Sequence, residues 1–547
     1  MKKWEVQSRS KVKKPADLLK VLLQNRNIET KKEIKEFLNP KLTNVTIRSV
    51  GIDKKELEKS VKRIKDAIKK GEQIIVYGDY DVDGITGAAI LWETLNAQGA
   101  KVLPYIPHRI DEGYGLSKAG IQNLESKIGK VDLIITVDNG IVANDAVAFA
   151  NEKGIDVIIT DHHVPSKNKP SSYSIVHTTQ LCGAGVAWIL SQQFKNQDDH
   201  LELVALASIA DLVPLTGANR TLTKFGLEKL TQTQRLGLLE LFKEAGIDKK
   251  TIGTYQVGHI IAPRLNAMGR LESAMDSLRL ICTKNPLRAK ELARKLSSTN
   301  SERQNITQKT VSEALSQVKI RKNQSNRLLF VAHQSYQQGV IGLVAGKLVE
   351  EYYLPSIVVA KGEVLSRGSA RSISGFNIIE FIRSASEFLV DAGGHPMAAG
   401  FTVETAKLEL VQKKLEELAL TAVTKKMLNQ KLRIDCELAT DSISSKLYDE
   451  IEKLQPFGMG NPTPTFMTEK IIIEDLKTVG FDGKHLRFKF SISQESTIDG
   501  IWFGGGDKVS SFKPGDKVNI AYTIDQDLWN GNKKLQLKIK DIKFDGH

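Results

Sequence analysis

Four short apolar runs constrain this chain most. Residues 74–77 (Ile-Ile-Val-Tyr), 102–106, 133–137 and 157–160 are continuous rather than alternating, so each predicts a strand buried on both faces. Stretches with helical spacing, 88–95, 118–124 and 143–151, separate them. Strand and helix in regular alternation predict an α/β fold built on a parallel sheet with crossover helices.

Where these runs end is equally informative. The first passes directly into Gly78-Asp79-Tyr80-Asp81-Val82-Asp83-Gly84, the third into Asp138-Asn139-Gly140, and the fourth into Asp161-His162-His163. The carboxyl ends of the strands of an open parallel sheet share one edge, and ligands bind there. A single aspartate at a strand end is commonly a turn former or a helix cap; three strand ends that all stop at acids predict a shared site. Carboxylates gathered in a cleft resist ionisation unless a cation neutralises them. Oxygen ligands with one or two imidazoles suit Mn²⁺ or Mg²⁺. Two such ions about 3.5–4 Å apart support phosphoester hydrolysis. Asp211 follows an apolar helix, where spacing alone leaves its role open.

A chain of 547 residues is too long for one core. The expected units are an N-terminal segment (1–45), a parallel-sheet domain (46–284), a long connector helix (285–325), a second, smaller α/β domain (326–425) and a C-terminal region (426–547). The second unit is expected to hold strands at 328–331, 356–360, 365–371 and 399–403 and helices at 339–351, 378–389 and 408–421. Beyond residue 425, short strands at 432–436, 465–473, 485–492, 497–503, 517–523 and 535–543, with turns at Phe481-Asp482-Gly483 and Asn530-Gly531-Asn532, predict a small antiparallel barrel of the OB type.

Charge and cysteine content narrow the function class. Lys and Arg number 78 against 64 Asp and Glu, a net charge of +14 that suits a polyanionic partner. Cys182, Cys282 and Cys436 lie far apart with no CxxC spacing, which argues against a disulfide framework and a thiolate zinc site. The polar, basic first twenty residues and the lack of an apolar run long enough to span a bilayer predict a cytoplasmic protein with no membrane association.

Asp79-Tyr80-Asp81-Val82-Asp83-Gly84, Val137-Asp138-Asn139-Gly140, Asp161-His162-His163 and Ala210-Asp211-Leu212-Val213-Pro214 resemble the four ordered motifs of the DHH phosphoesterase superfamily, and nearly the whole chain resembles the RecJ single-strand-specific exonucleases. The resemblance implies metal ligands at Asp81, Asp83, Asp138, His162 and Asp211, with Asp79 and His163 in or beside the catalytic site and Asp161 orienting a histidine. The second α/β unit resembles the DHHA1 domain through Gly368-Ser369-Ala370-Arg371-Ser372 and Gly393-Gly394-His395-Pro396-Met397-Ala398-Ala399-Gly400. Strand alternation places Arg367, Ser369 and Arg371 on one face, a suitable phosphate cradle, with Gly394 and His395 beside it. Arg109, in Pro107-His108-Arg109, and Arg264 and Arg270, in the segment Pro263 to Arg270, are further candidate phosphate ligands by the same resemblance. Where relatives carry Trp-His, this chain has Tyr336-Gln337, which keeps an aromatic for stacking.

The C-terminal region, with Pro456-Phe457-Gly458-Met459-Gly460-Asn461-Pro462, resembles the RecJ OB domain. Alternation sends His485, Arg487 and Lys489 to one face, as candidate DNA contacts, and Leu486, Phe488 and Phe490 into the barrel core. The implied activity is 5′-to-3′ hydrolysis of single-stranded DNA to 5′-mononucleotides in repair and recombination, with two Mn²⁺ or Mg²⁺ ions. The enzyme is expected to be monomeric and to work with a single-strand-binding protein and a helicase. Two other readings stay open: a DHH/DHHA1 oligoribonuclease or nucleoside-bisphosphate phosphatase, and an inactive single-strand-binding relative.

Overall fold

A computed structural model describes residues 2–12, 14–109, 111–194, 200–320, 327–493, 496–527 and 534–544. The expected turn at Asn530-Gly531-Asn532 and the last five residues of the connector lie outside these.

The first α/β unit holds five parallel strands in the order Val102–Tyr105, Ile74–Gly78, Leu133–Val137, Asp156–Asp161, Ser174–His177. The second and third of these strands, Ile74–Gly78 and Leu133–Val137, are buried at every position, as their unbroken apolar sequences require. Ser174–His177 is too short and too polar to read as a strand from its sequence; pairing with Asp156–Asp161 makes it one. The helix after the first strand runs Val82–Ala97, a turn and a half earlier than apolar spacing suggests, because Asp81 caps it and Asp83 lies in its first turn.

Helix Pro286–Ile320 is more than a tether. Ala289, Leu292, Ala293 and Leu296 are buried near its start, and Leu292, Ala293 and Leu296 belong to the core of the first unit. Ala314 and Val318, near its end, pack with Val331 and Val344 of the second unit. The second unit is a five-stranded mixed sheet ordered Leu389–His395, Ala398–Glu404, Leu365–Arg371, Ser356–Ala360, Leu329–His333. One expectation fails here. The helix predicted over 378–389 ends at Arg383, and Leu389–His395 is an edge strand, antiparallel to Ala398–Glu404. Its glycine pair and largely exposed side chains hide the strand pattern, and the hairpin pairing supplies what the sequence lacks.

In the C-terminal region Phe466–Val479, His485–Ser491, Thr497–Trp502, Lys534–Phe544 and Lys517–Asp527 close on themselves as a barrel, since Phe466–Val479 pairs with both His485–Ser491 and Lys517–Asp527. The N-terminal segment belongs to this unit. Lys3–Val6 pairs in parallel with Lys431–Ile434, and Lys11–Val12 with Cys436–Leu438. Leu18, Leu22, Leu23 and Phe37 share a core with Phe466, Phe488 and Tyr522. No helix among the described residues is long and apolar enough to cross a membrane, and all three cysteines are free.

Candidate metal and phosphate site

Each acid is placed by a local device. The Asp81 carboxylate accepts from the Asp83 and Gly84 amides at 3.0 and 3.2 Å as the N-cap of its helix, through one oxygen only. Asp83 is 1% exposed, and its two oxygens accept from the amides of Gly183 and Ala184, each at 2.6 Å, at the start of helix Gly183–Ser191. That helix end stabilises the anion. Gly183 has to be glycine, since a Cβ there would stand 2.5 Å from the Cβ of Asp138. Asp138 takes φ of +64°, a left-handed conformation that aspartate tolerates better than most side chains. Asp161 receives the amides of His162 and His163 on one oxygen, which also takes the Nδ1 of His163 at 2.8 Å, and the Ile141 amide on the other. His163 then reaches the Tyr114 hydroxyl at 3.2 Å through Nε2.

These groups converge. His162 Nε2 lies 3.1 Å from Asp138, 3.7 Å from Asp83 and 3.7 Å from Asp211. Asp211 is the C-cap of helix Leu201–Ala210, which packs on the helix carrying Asp83 and so brings in a residue remote in sequence. Three sets each place one ligand atom per residue within 4.8 Å of one another: Asp138, His162 and His163; Asp83, His162 and Asp211; and Asp79, Asp81 and Asp138.

The electrostatics call for a cation. Burial and the Asp81 charge push Asp79 well above the carboxylate range, and burial with Asp83 and Asp81 does the same to Asp138. Burial and the charge of Asp83 raise Asp81 as well. Asp211 is driven up to about 8 by burial and by Asp83 and Asp81. Burial alone would lower His163, but its hydrogen bond and ion pair with Asp161 raise it to about 9. Asp79 Oδ1 and Asp138 Oδ1 are buried without a hydrogen-bond partner. Orphaned buried oxygens among like charges, with imidazole nitrogens beside them, fit divalent metal ions.

A cavity of about 970 Å³ adjoins the cluster and lies between the two α/β units. Asp161 and His163 line it from one side; Arg367, Ser369, Arg371, Gly394 and His395 line it from the other. His163 and His395 face each other with ring centroids 6.1 Å apart, nearly parallel. Arg371 donates to Ser369 Oγ at 3.3 Å, so hydroxyl and guanidinium act on one spot. Arg109, stacked over Tyr80 at 4.9 Å, and Arg270 also line the cavity, and burial with the nearby cations Arg109, Arg303 and Arg371 lowers Arg270 to about 10. Arg264 does not line this cavity; its guanidinium donates to the Ile260 carbonyl. Tyr336 is 4% exposed and packs beneath helix Pro286–Ile320, so the stacking role expected of that aromatic is not available.

Sequence reasoning missed the amides of Gly183 and Ala184, for which Gly183-Ala184-Gly185 before an apolar helix was the available signal. It also missed Asn266, whose side chain accepts from the Val82 amide at 2.9 Å and ties the Pro263–Arg270 segment to the acidic loop. In the barrel, Arg487 and Lys489 are exposed, with Arg487 paired to Asp499 at 3.1 Å, and His485 lies against Phe503. Leu486, Phe488 and Phe490 fill the core.

Comparison with known proteins agrees with this architecture. The family models for the DHH family, N-terminal domain, the DHHA1 domain and the RecJ OB domain match residues 73–214, 325–421 and 434–541. The single-stranded-DNA-specific exonuclease RecJ of Bacillus subtilis (strain 168) is 36% identical over 98% of this chain and 70% of its own length. That of Thermus thermophilus is 31% identical over 93% and 73%. The crystal structure of RecJ in complex with Mn²⁺ from Thermus thermophilus superposes with a TM-score of 0.83 at 28% identity, over 99% of this chain and 79% of that one. A Mg²⁺ complex from the same source gives 0.75 at 26% identity, over 99% and 78%. With its acids at the edge of a parallel sheet, an arginine-lined cleft facing them and a barrel behind, the chain belongs to the RecJ family of the DHH superfamily.

Proposed function

We propose that this protein is a metal-dependent exonuclease that degrades single-stranded DNA from its 5′ end and releases 5′-mononucleotides. One observation carries the reading: His163, which stands within ligand distance of Asp138 and His162, lines the same cavity as the arginine–serine face, so a terminal phosphate held there lies beside the edge of the acid–imidazole cluster. The relatives named as single-stranded-DNA-specific exonucleases support it.

Asp81, Asp83, Asp138, His162 and Asp211 would hold Mn²⁺ or Mg²⁺, with Asp79 beside them. When bound, these ions supply Lewis-acid charge at the reacting phosphate and make water acidic enough to attack at neutral pH. The chain's own groups do the positioning. The Gly183 and Ala184 amides fix the Asp83 carboxylate, and Asp161 fixes the His163 ring. The hydrogen bond and charge of Asp161 favour the protonated form of the His163 ring, which faces the cavity. Arg109, Arg270, Ser369 and Arg371 receive the terminal phosphate, and the planar guanidiniums suit its oxygens. A volume of about 970 Å³ accommodates a strand terminus. The barrel, with Arg487 and Lys489 outward, holds the strand behind the cleft. Residues 46–284 and 326–425 are then the two jaws and 426–547 the strand-holding unit; a monomer suffices, and a single-strand-binding protein or a helicase would supply substrate.

Product analysis on end-labelled DNA tests this. Expected are 5′-mononucleotides from a 5′-phosphorylated single strand with Mn²⁺, and an intact blunt duplex. Equal cleavage of duplex, or activity confined to dinucleotides, would overturn it.

A further inference from the structure

Arg220 is 1% exposed, and among the described residues no carboxylate lies within ion-pair distance of it. It sits in helix Gly217–Thr231 of the first unit. Its guanidinium reaches out of that unit and donates to the carbonyls of Leu454 at 2.8 Å, Gln455 at 2.6 Å and Pro456 at 3.4 Å, and to that of Phe37 at 3.0 Å. The group also lies 3.8 Å from the centre of the Phe37 ring. A buried cation satisfied by carbonyls and an aromatic face is costly to assemble and holds its partners tightly.

The segment it grips, 454–462, leads into the barrel. Asn461, fully buried, donates to the carbonyls of Leu454 and Pro456 and stiffens the loop. The outer surface of that loop meets the residues that follow Asp211. The Leu215 amide donates to the Met459 carbonyl at 2.7 Å. Gly458 and Gly460 leave no room between the two: a Cβ on the first would stand 2.6 Å from Leu215 Cδ1, and one on the second, at φ of +73°, 3.0 Å from Pro214 Cβ. Between Asp211 and this contact stands only Leu212-Val213, with Leu212 in a left-handed conformation and 63% exposed. The loop bearing Asp211 is thus fastened from the barrel side.

We propose that the segment 454–462 is a positioning element of the catalytic centre, which sets Asp211 through its contact with Pro214 and Leu215 and is held in place by Arg220. The barrel unit then tunes cation affinity and turnover, and not strand retention alone. This rests on the reading that Asp211 belongs to the cation site.

Gly458→Ala, which presses one methyl against a leucine side chain, and Arg220→Met, which releases the carbonyls, test it in the full chain. Both are expected to speed hydrogen exchange at the Leu215 amide. They are also expected to weaken Mn²⁺ binding in calorimetric titration by about tenfold, the scale seen when a group that orients a metal ligand is lost. Turnover of a 5′-phosphorylated trinucleotide falls with it, while retention of a long strand in Ca²⁺ stays as in the parent. Faster exchange at Leu215 with unchanged Mn²⁺ affinity and trinucleotide turnover overturns the proposal. Unchanged exchange in both variants overturns the mechanical link. Full activity of Asp211→Ala would instead remove the assignment of Asp211 on which the inference stands.

Discussion

The barrel strand His485–Ser491 and the loaded edge of the parallel sheet handle charge in opposite ways. On the barrel, Arg487 points outward, is exposed and has Asp499 as partner, and Lys489 is exposed beside it. Each charge is hydrated, so each is individually worth little. At the sheet edge, Asp79, Asp83 and Asp138 are 1 to 3% exposed and crowded with Asp81 and Asp211. There burial and mutual repulsion oppose ionisation of Asp79, Asp81, Asp138 and Asp211 until a cation arrives. The first arrangement suits weak, salt-sensitive contact along a polymer; the second suits one tightly held ligand set.

The largest effect expected from this contrast is at the edge. Asp138→Ala should lower turnover of single-stranded DNA by roughly a thousandfold or more while leaving the circular-dichroism spectrum intact, because it deletes charge assembled for the reaction rather than for folding. Cation removal comes next. Asp211, raised to about 8, is protonated at pH 7 without metal, so Mn²⁺ binding should release protons, as calorimetry in buffers of different ionisation enthalpy would read. The same shift ties stability to pH. A folded-state pKa above the unfolded value means the metal-free protein loses stability as pH rises from about 4 to 8. The gain in Tm given by Mn²⁺ should therefore grow across that window; a constant gain would mean that Asp211 is not part of the ion site.

Smaller effects are expected as the groups become more exposed. Arg371→Ala should cost about ten- to a hundredfold in kcat/KM on a 5′-phosphorylated strand and much less on a 5′-hydroxyl strand, since a charge-assisted contact is lost only with the phosphate present. The double variant Arg487→Ala, Lys489→Ala should raise KM on long strands by a few-fold, flatten its salt dependence and leave a trinucleotide unaffected. A loss on the trinucleotide as large as on the long strand would erase the distinction between the two regions.

The legible parts of this molecule were those dictated by periodicity. The strand Ile74–Gly78 and the alternation of Leu486, Phe488 and Phe490 with Arg487 and Lys489 follow from which side chains must leave water. The acids at strand ends were legible because the topology of a parallel sheet assigns them one edge. What stayed hidden depends on partners distant in sequence. Ser174–His177 and Leu389–His395 are strands only because a neighbour pairs with them. Asp211 enters the site through helix packing, which spacing along the chain does not encode. Tyr336 is an aromatic in a suggestive position, and only the packing of helix Pro286–Ile320 over it decides that it is core.

The pairing of Lys3–Val6 with Lys431–Ile434, and of Lys11–Val12 with Cys436–Leu438, also orders events during synthesis. Leu18, Leu22 and Leu23 leave the ribosome more than four hundred residues before Phe466 and Phe488, the side chains that will cover them. Both jaws can acquire their cores on the nascent chain while this oily helix waits for its mate, so the barrel unit forms by a late, long-range closure, the step most exposed to misassociation and to capture by chaperones.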